Sequence, residues 1–118
     1  MPRQTYQGGC HCGAVRYEAA LDLSETITCN CSYCSKRASV LAFTARDQFT
    51  LLSGEGALRE YRFNKNVIQH LFCEKCGVES YALGVGPDGV AMAAVNVRCL
   101  DGVDAEGLPS MRYNGKDA

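Results

Sequence analysis

The chain has 118 residues, with twelve Lys or Arg against thirteen Asp or Glu, a formal charge of −1, 47% hydrophobic residues and eight cysteines. That balance leaves no basic footprint for nucleic acid, and no stretch approaches the ~20 apolar residues of a membrane span. The length suits a single domain over 1–118, with a core over about 7–102 and a polar tail over 103–118, large enough to bury a core without staples.

The opening residues Met1 to Gln7 lack the apolar centre of a signal peptide, so the expected compartment is the reducing cytoplasm. Disulfides rarely persist there, and cysteines at Cys-x-Cys and Cys-x-x-Cys spacing then point to metal. The first such motif is Gly8-Gly9-Cys10-His11-Cys12-Gly13, a turn feeding a strand over Ala14 to Glu18. Successive side chains of an extended segment alternate, so Cys10 and Cys12 share a face and His11 points away, to surface or packing.

Leu21 to Glu25 reads as a connection, and Thr26 to Cys31 alternates as a second strand whose inner face would carry Ile27, Cys29 and Cys31. A turn returns Cys34 beside them, giving three corners of a tetrahedron and no obvious fourth. Structural zinc sites close with four protein ligands while reactive ones keep a position for water or substrate, so this trio reads as an open zinc site. Ser32 is a candidate cap for a short helical turn through Ser35 to Ala38, whose amides would favour thiolate charge.

From Val40 onward the pattern is short strands and turns, which favours antiparallel sheet. Strands are expected over Val40 to Phe43, Phe49 to Leu52, Leu58 to Phe63 and Val67 to Phe72, with breaks at Ser53 to Gly56 and Asn64 to Asn66. Cys73-Glu74-Lys75-Cys76-Gly77 is a zinc knuckle, its glycine free to take angles that other residues resist. Gly84 to Gly89 forms a turn before a buried strand over Val90 to Val97, and the tail from Asp104 to Ala118 is polar with only Leu108, Met111 and Tyr113 to bury, so its end is expected to fray.

The cysteines therefore divide into Cys10 with Cys12, the trio Cys29, Cys31 and Cys34, Cys73 with Cys76, and Cys99 alone. Two plus two makes a closed four-thiolate site that staples the first strand to the knuckle and contributes folding energy directly. Cys99 is either a small hydrophobe in its strand or a fourth ligand closing the trio. With seven thiolates around two Zn²⁺ the net charge falls to about −4.

With the motifs in the order Gly-Gly-Cys10-x-Cys12-Gly, Cys29-x-Cys31-x-x-Cys34 and Phe72-Cys73-x-x-Cys76-Gly77, the chain resembles the glutathione-dependent formaldehyde-activating enzyme family. His70 to Val78, Pro87-Asp88-Gly89 and Val95 to Asp101 look more like its centromere protein V-like branch. The resemblance implies an all-β fold of stacked antiparallel sheets, a β-tent, with a structural zinc on Cys10, Cys12, Cys73 and Cys76 and a catalytic zinc on Cys29, Cys31 and Cys34. The activity it implies is carbon-sulfur lyase chemistry on thiol-aldehyde adducts, with glutathione as the thiol and formaldehyde as the aldehyde.

Zinc on three thiolates carries net −1, so its better use is to hold a thiol as thiolate. The added charge calls for a cation or donor, and Lys36 and Arg37 beside the ligand turn are either that or a plain solvated face, while Asn96 in its apolar strand needs a partner that either substrate or backbone would supply. His70 either hydrogen-bonds a ligand sulfur or packs in the sheet. The rival to the lyase is a non-catalytic, zinc-stapled interaction module.

Overall fold

The computed structural model describes residues 3–29, 33–37, 39–62, 68–86 and 88–113, apart from the Cys34 side chain. The strands are β1 (Gln4–Gly9), β2 (Arg16–Leu21), β3 (Thr26–Cys29), β4 (Leu41–Ala45), β5 (Phe49–Ser53), β6 (Leu58–Tyr61), β7 (Gln69–Cys73), β8 (Glu79–Val85), β9 (Ala91–Asn96) and β10 (Ser110–Tyr113), with one helical turn, α1 (Cys34–Arg37). They form a small sheet in the order β1-β2-β5 and a large one in the order β10-β3-β4-β9-β8-β7-β6. The expected all-β architecture of stacked sheets is what the chain adopts.

Period-two patterning explains which faces meet. In β2, Tyr17, Ala19 and Leu21 are buried while the residues between them are half-exposed. Across the large sheet, Leu71, Tyr81, Val95 and Ala42 stand opposite one another strand by strand and therefore project to one side, the side facing the small sheet. The rings of Tyr17, Phe49 and Tyr81 fill the gap, with centroids 5.1 Å (Tyr17–Phe49), 5.7 Å (Tyr17–Tyr81) and 4.5 Å (Phe49–Tyr81) apart. The Tyr17 hydroxyl donates to the Ser80 carbonyl at 3.2 Å, so the buried phenol is satisfied.

The adjacent cross-strand row, Tyr61, His70, Ala82, Ala94 and Phe43, projects from the other side of the large sheet. This outer face is where β3 and α1 bring their residues. In β3 it is Thr26 that is buried against the interior, and Ile27, paired with Leu41, turns to the outer face with Cys29. The expectation that Ile27 and Cys29 line the inner face is therefore reversed.

Some elements differ from expectation. β1 and β8 were not anticipated, although β8 pairs on both sides, with β7 and β9. The tail contains a further strand that was not anticipated, β10, which runs parallel to β3 and pairs Ser110 with Thr26 through to Tyr113 with Cys29, while the end expected to fray, 114–118, lies outside the described residues. The sheets are thus not wholly antiparallel, and Met111 and Tyr113 are exposed rather than buried. Cys99 lies in a 3₁₀ turn, Val97–Cys99, and not in a strand. Ser32, Ala38, Phe63, the turn over 64–66 and Pro87 lie outside the described residues.

Candidate metal centre and the outer face

The first cluster is built where both sheets come together. Cys10 follows β1, Cys12 lies in the turn before β2, and Cys73 and Cys76 belong to the knuckle that leaves β7. Two local features make the turns possible. Gly77 has φ +78, a left-handed conformation that a side chain would strain, and its N–H donates to the Cys73 carbonyl at 2.8 Å. At Gly9 an added Cβ would stand 2.0 Å from the Val15 carbonyl oxygen, so a side chain there would prise apart the entry and exit of the first ligand loop.

The four ligand sulfurs lie within 4.8 Å of one another, with Cys10 to Cys12 and Cys12 to Cys73 both at 3.6 Å. A tetrahedron with metal-sulfur bonds of ~2.3 Å has edges of about 3.8 Å, so this set fits a metal ion, whereas disulfide sulfurs sit at about 2.05 Å. All four are free thiols. The Val15 amide donates to the Cys10 sulfur at 3.3 Å. The local field already favours thiolate at two positions: the Val78 amide, then that of Cys12, draws the Cys76 thiol down to about 6. Burial pushes Cys10 up, but the Val15 amide and the Cys12 and Cys73 thiols outweigh it. At Cys12 the Ala14 amide pulls down and its thiol neighbours push it up to about 11, the mutual cost of gathering thiolates that a cation relieves.

Of the second cysteine set, Cys29 is half-buried at the end of β3, on the outer face. Cys31 and the Cys34 side chain lie outside the described residues. The turn that follows is described, and it docks on the large sheet through Tyr33 and Arg37. The Tyr33 ring packs on His70 at 4.3 Å between centroids and stacks on Tyr61 at 5.4 Å, and the Arg37 guanidinium lies 4.9 Å over the same ring. Tyr33 donates its hydroxyl to the Glu79 carboxylate, with Arg37 Nε 3.6 Å from the same oxygen and His70 Nδ1 3.3 Å from the other.

The remaining expected residues fall around this network. Asn96 donates from Nδ2 to the Glu79 carbonyl at 3.1 Å, and its Oδ1 accepts the Arg98 amide. Lys36 is exposed. His70, for which ligand contact and packing were both open, is buried against Glu79 and Tyr33. The Cys99 thiol, raised to about 11 mainly by burial, is 3.9 Å from the Glu79 carbonyl. His11 is exposed, as its alternation implied. Sequence reasoning missed Glu79 and Tyr33: neither is a metal ligand, and Tyr33 stood in the motif as an unassigned spacer.

Beside the network the outer face continues as an apolar trough of about 350 Å³ walled by Phe43, Ile68 and Met92 over a floor of Ala82, Gly84 and Ala94. Ala82, Ala94 and Phe43 continue the row that begins with Tyr61 and His70. Among the described residues no helix is long and apolar enough to cross a membrane.

Known proteins agree with this arrangement. A crystal structure of a Rhodobacter sphaeroides protein superposes with a TM-score of 0.78 at 28% sequence identity, covering 89% of this chain and 99% of that one. Residues 5–113 match the family model described as glutathione-dependent formaldehyde-activating enzyme. A match over nearly the whole chain, with four thiols gathered as a metal site, leads to one conclusion: the chain belongs to the glutathione-dependent formaldehyde-activating enzyme family.

Proposed function

We propose that this protein is a zinc-dependent carbon-sulfur lyase that makes and breaks thiol-aldehyde adducts of the S-hydroxymethylglutathione type. The observation that carries the reading is the family match over residues 5–113, which supports a glutathione-dependent, formaldehyde-activating activity in general. The finer assignment follows the residues. Cys10, Cys12, Cys73 and Cys76 hold a structural zinc, and Cys29, Cys31 and Cys34 hold a second one with a position left for substrate. The motifs around His70 to Val78 and Val95 to Asp101 resemble the centromere protein V-like side of the family, and this resemblance supports assigning the chain to that branch.

Zinc on three thiolates supplies a site where an incoming thiol is deprotonated near neutral pH without a general base. In the adduct-forming direction the substrate sulfur attacks the aldehyde carbon, a carbon-sulfur bond forms, and the carbonyl electron pair moves to oxygen, which takes a proton from water. The reverse step returns free aldehyde and thiol. Lys36, Arg37 and Asn96 are the candidates to orient the substrate. A reducing compartment such as the cytoplasm would keep the thiols competent.

The test is exchange between free formaldehyde and its glutathione adduct, followed by NMR magnetisation transfer. The intact protein should accelerate exchange, and Cys31→Ser, which keeps the four-cysteine site, should not. Uncatalysed rates with several thiols, together with no sulfur from solution entering the metal shell, would replace the lyase by a zinc-stapled interaction module.

A further inference from the structure

A single carboxylate organises the outer face. Glu79 is 8% exposed, and an ionised carboxylate at that depth persists only where partners replace its water. Among the described residues its side-chain partners are the Tyr33 hydroxyl, Arg37 Nε at 3.6 Å and His70 Nδ1 at 3.3 Å. Its own backbone carbonyl is fixed as well, accepting Asn96 Nδ2 at 3.1 Å.

The way the chain brings Glu79 there is unusual. Counting by two from buried Tyr81 would send Glu79 into the core between the sheets. The register of β7 against β8 shifts, however, from Leu71 opposite Tyr81 to Phe72 opposite Glu79, which leaves Ser80 as an extra residue. Phe72 shares the face of His70 by alternation, so the shift carries Glu79 to the outer face. A bulge that turns a charged side chain out of a core and onto an aromatic cluster is a device for aiming that side chain.

What it is aimed at is the segment between two cysteines. Tyr33 sits between Cys31 and Cys34, and Arg37 ends the single turn of α1 that starts at Cys34. One helical turn has almost no stability of its own. Here it is held to the large sheet by a carboxylate gripping both ends of the segment and by the Tyr33 ring lying on His70 and Tyr61.

We infer that Glu79 is the positioning residue for the Cys29, Cys31 and Cys34 set, acting through Tyr33 and Arg37 to fix the loop that carries the second and third thiols. The inference rests on the proposed reading of that set as a metal site. Groups that orient ligands in this indirect way change metal affinity by about 10–100-fold when removed.

The test is cobalt(II) substitution of the full-length protein, titrated with a chelator while sulfur-to-metal charge-transfer bands are followed. The four-cysteine site serves as internal reference. Glu79→Gln removes the charge, and Tyr33→Phe keeps the ring stack while losing only the hydroxyl. Each should weaken retention at the second set about tenfold or more, leave the reference site within twofold, and combine in the double variant to no more than the worse single one. Should Glu79→Gln fail to fold, Tyr33→Phe carries the same readout. Two metals bound by the unaltered protein, with retention unchanged in both variants, would overturn the role of Glu79 alone. Parallel loss at both sites would show a merely structural role and overturn it too. One metal in the unaltered protein would overturn this inference together with the lyase reading.

Discussion

The sulfur of Cys12 lies 3.6 Å from that of Cys73, sixty-one residues further along the chain. One sulfur belongs to the loop joining two strands of the small sheet and the other to the end of a strand in the large sheet. A metal at this point therefore closes a long loop and clamps the two layers, and its binding free energy counts as folding free energy. Cys73→Ser or Cys76→Ser is expected to cost more than about 3 kcal/mol and to abolish soluble protein at physiological temperature. Calorimetry with and without a strong chelator checks this, since chelation should reproduce the defect in the unaltered chain.

The second cysteine set should behave differently. Its described member, Cys29, ends β3 on the outer face of the large sheet, away from the small sheet, so on the proposed assignment Cys31→Ser or Cys34→Ser should remove one of two metals while the melt stays cooperative. The expected fall in Tm is under about 6 °C, equivalent to roughly 1 kcal/mol for a domain of this size. Native mass spectrometry and calorimetry on the same samples read both quantities, and equal collapse in both cysteine sets would contradict the division.

Tyr17 offers a test of the core. Its ring contacts that of Phe49 on the neighbouring strand of its own sheet and that of Tyr81 from the opposite sheet, and its hydroxyl is bonded to Ser80. Tyr17→Ala should cost about 3–5 kcal/mol, as large aromatic truncations do. Tyr17→Phe should cost about 1 kcal/mol, the worth of one hydrogen bond together with the stranded Ser80 carbonyl. Urea denaturation resolves the two, and burial holds the Tyr17 phenol well above the usual tyrosine range, so its ionisation should be absent from alkaline titrations of the folded protein.

The pairing of Arg16 with Asp101 gives a pH dependence. The Arg16 guanidinium donates to the Asp101 carboxylate and holds it below the usual carboxylate range. A carboxylate depressed on folding contributes stability that is present above its unfolded value, near pH 4, and is lost as pH falls through the lower folded value. The pair is largely exposed, so the contribution is at most about 1 kcal/mol. Asp101→Asn should lose that amount at pH 7 and nothing at pH 2, and added salt should shrink the difference.

Duplex DNA should bind weakly at most. A chain with net charge −1 before metal loading, and no basic stripe, has little with which to displace counterions. Salt-sensitive retardation of duplex DNA at nanomolar protein would contradict this.

The metal-binding half of the site could be read from the sequence because thiol spacing is a local signal. Cys10-x-Cys12 and Cys73-x-x-Cys76 each declare themselves within four residues, and joining the two pairs gives a four-ligand set. Glu79 could not be found that way. Its position on the outer face depends on one extra residue in β8, and nothing in Val78-Glu79-Ser80-Tyr81 marks a register shift. β8 escaped notice for a related reason: it is buried on several consecutive positions, so alternation, the usual mark of a strand, is missing. β10 was hidden because its alternation, Ser110-Met111-Arg112-Tyr113, is only four residues long, all of them exposed, and its parallel pairing with β3 is a long-range choice.

That last strand sets the order in which the site can be completed during synthesis. β3 delivers Cys29, and along one edge its partner is β10, whose Tyr113 stands beside that cysteine. The Thr26 hydroxyl adds contacts to the Pro109 carbonyl at 2.6 Å and the Ser110 hydroxyl at 2.7 Å. A nascent chain stopped before Ser110 would leave β3 with a bare edge, open to pairing with another chain. The last ligand of the four-cysteine clamp is Cys76, and the knuckle is closed by Gly77 and Val78 just after it, so the clamp can load metal earlier. The growing polypeptide would thus acquire its rigid frame first, and the segment carrying Cys29 would settle only once residue 113 had been added.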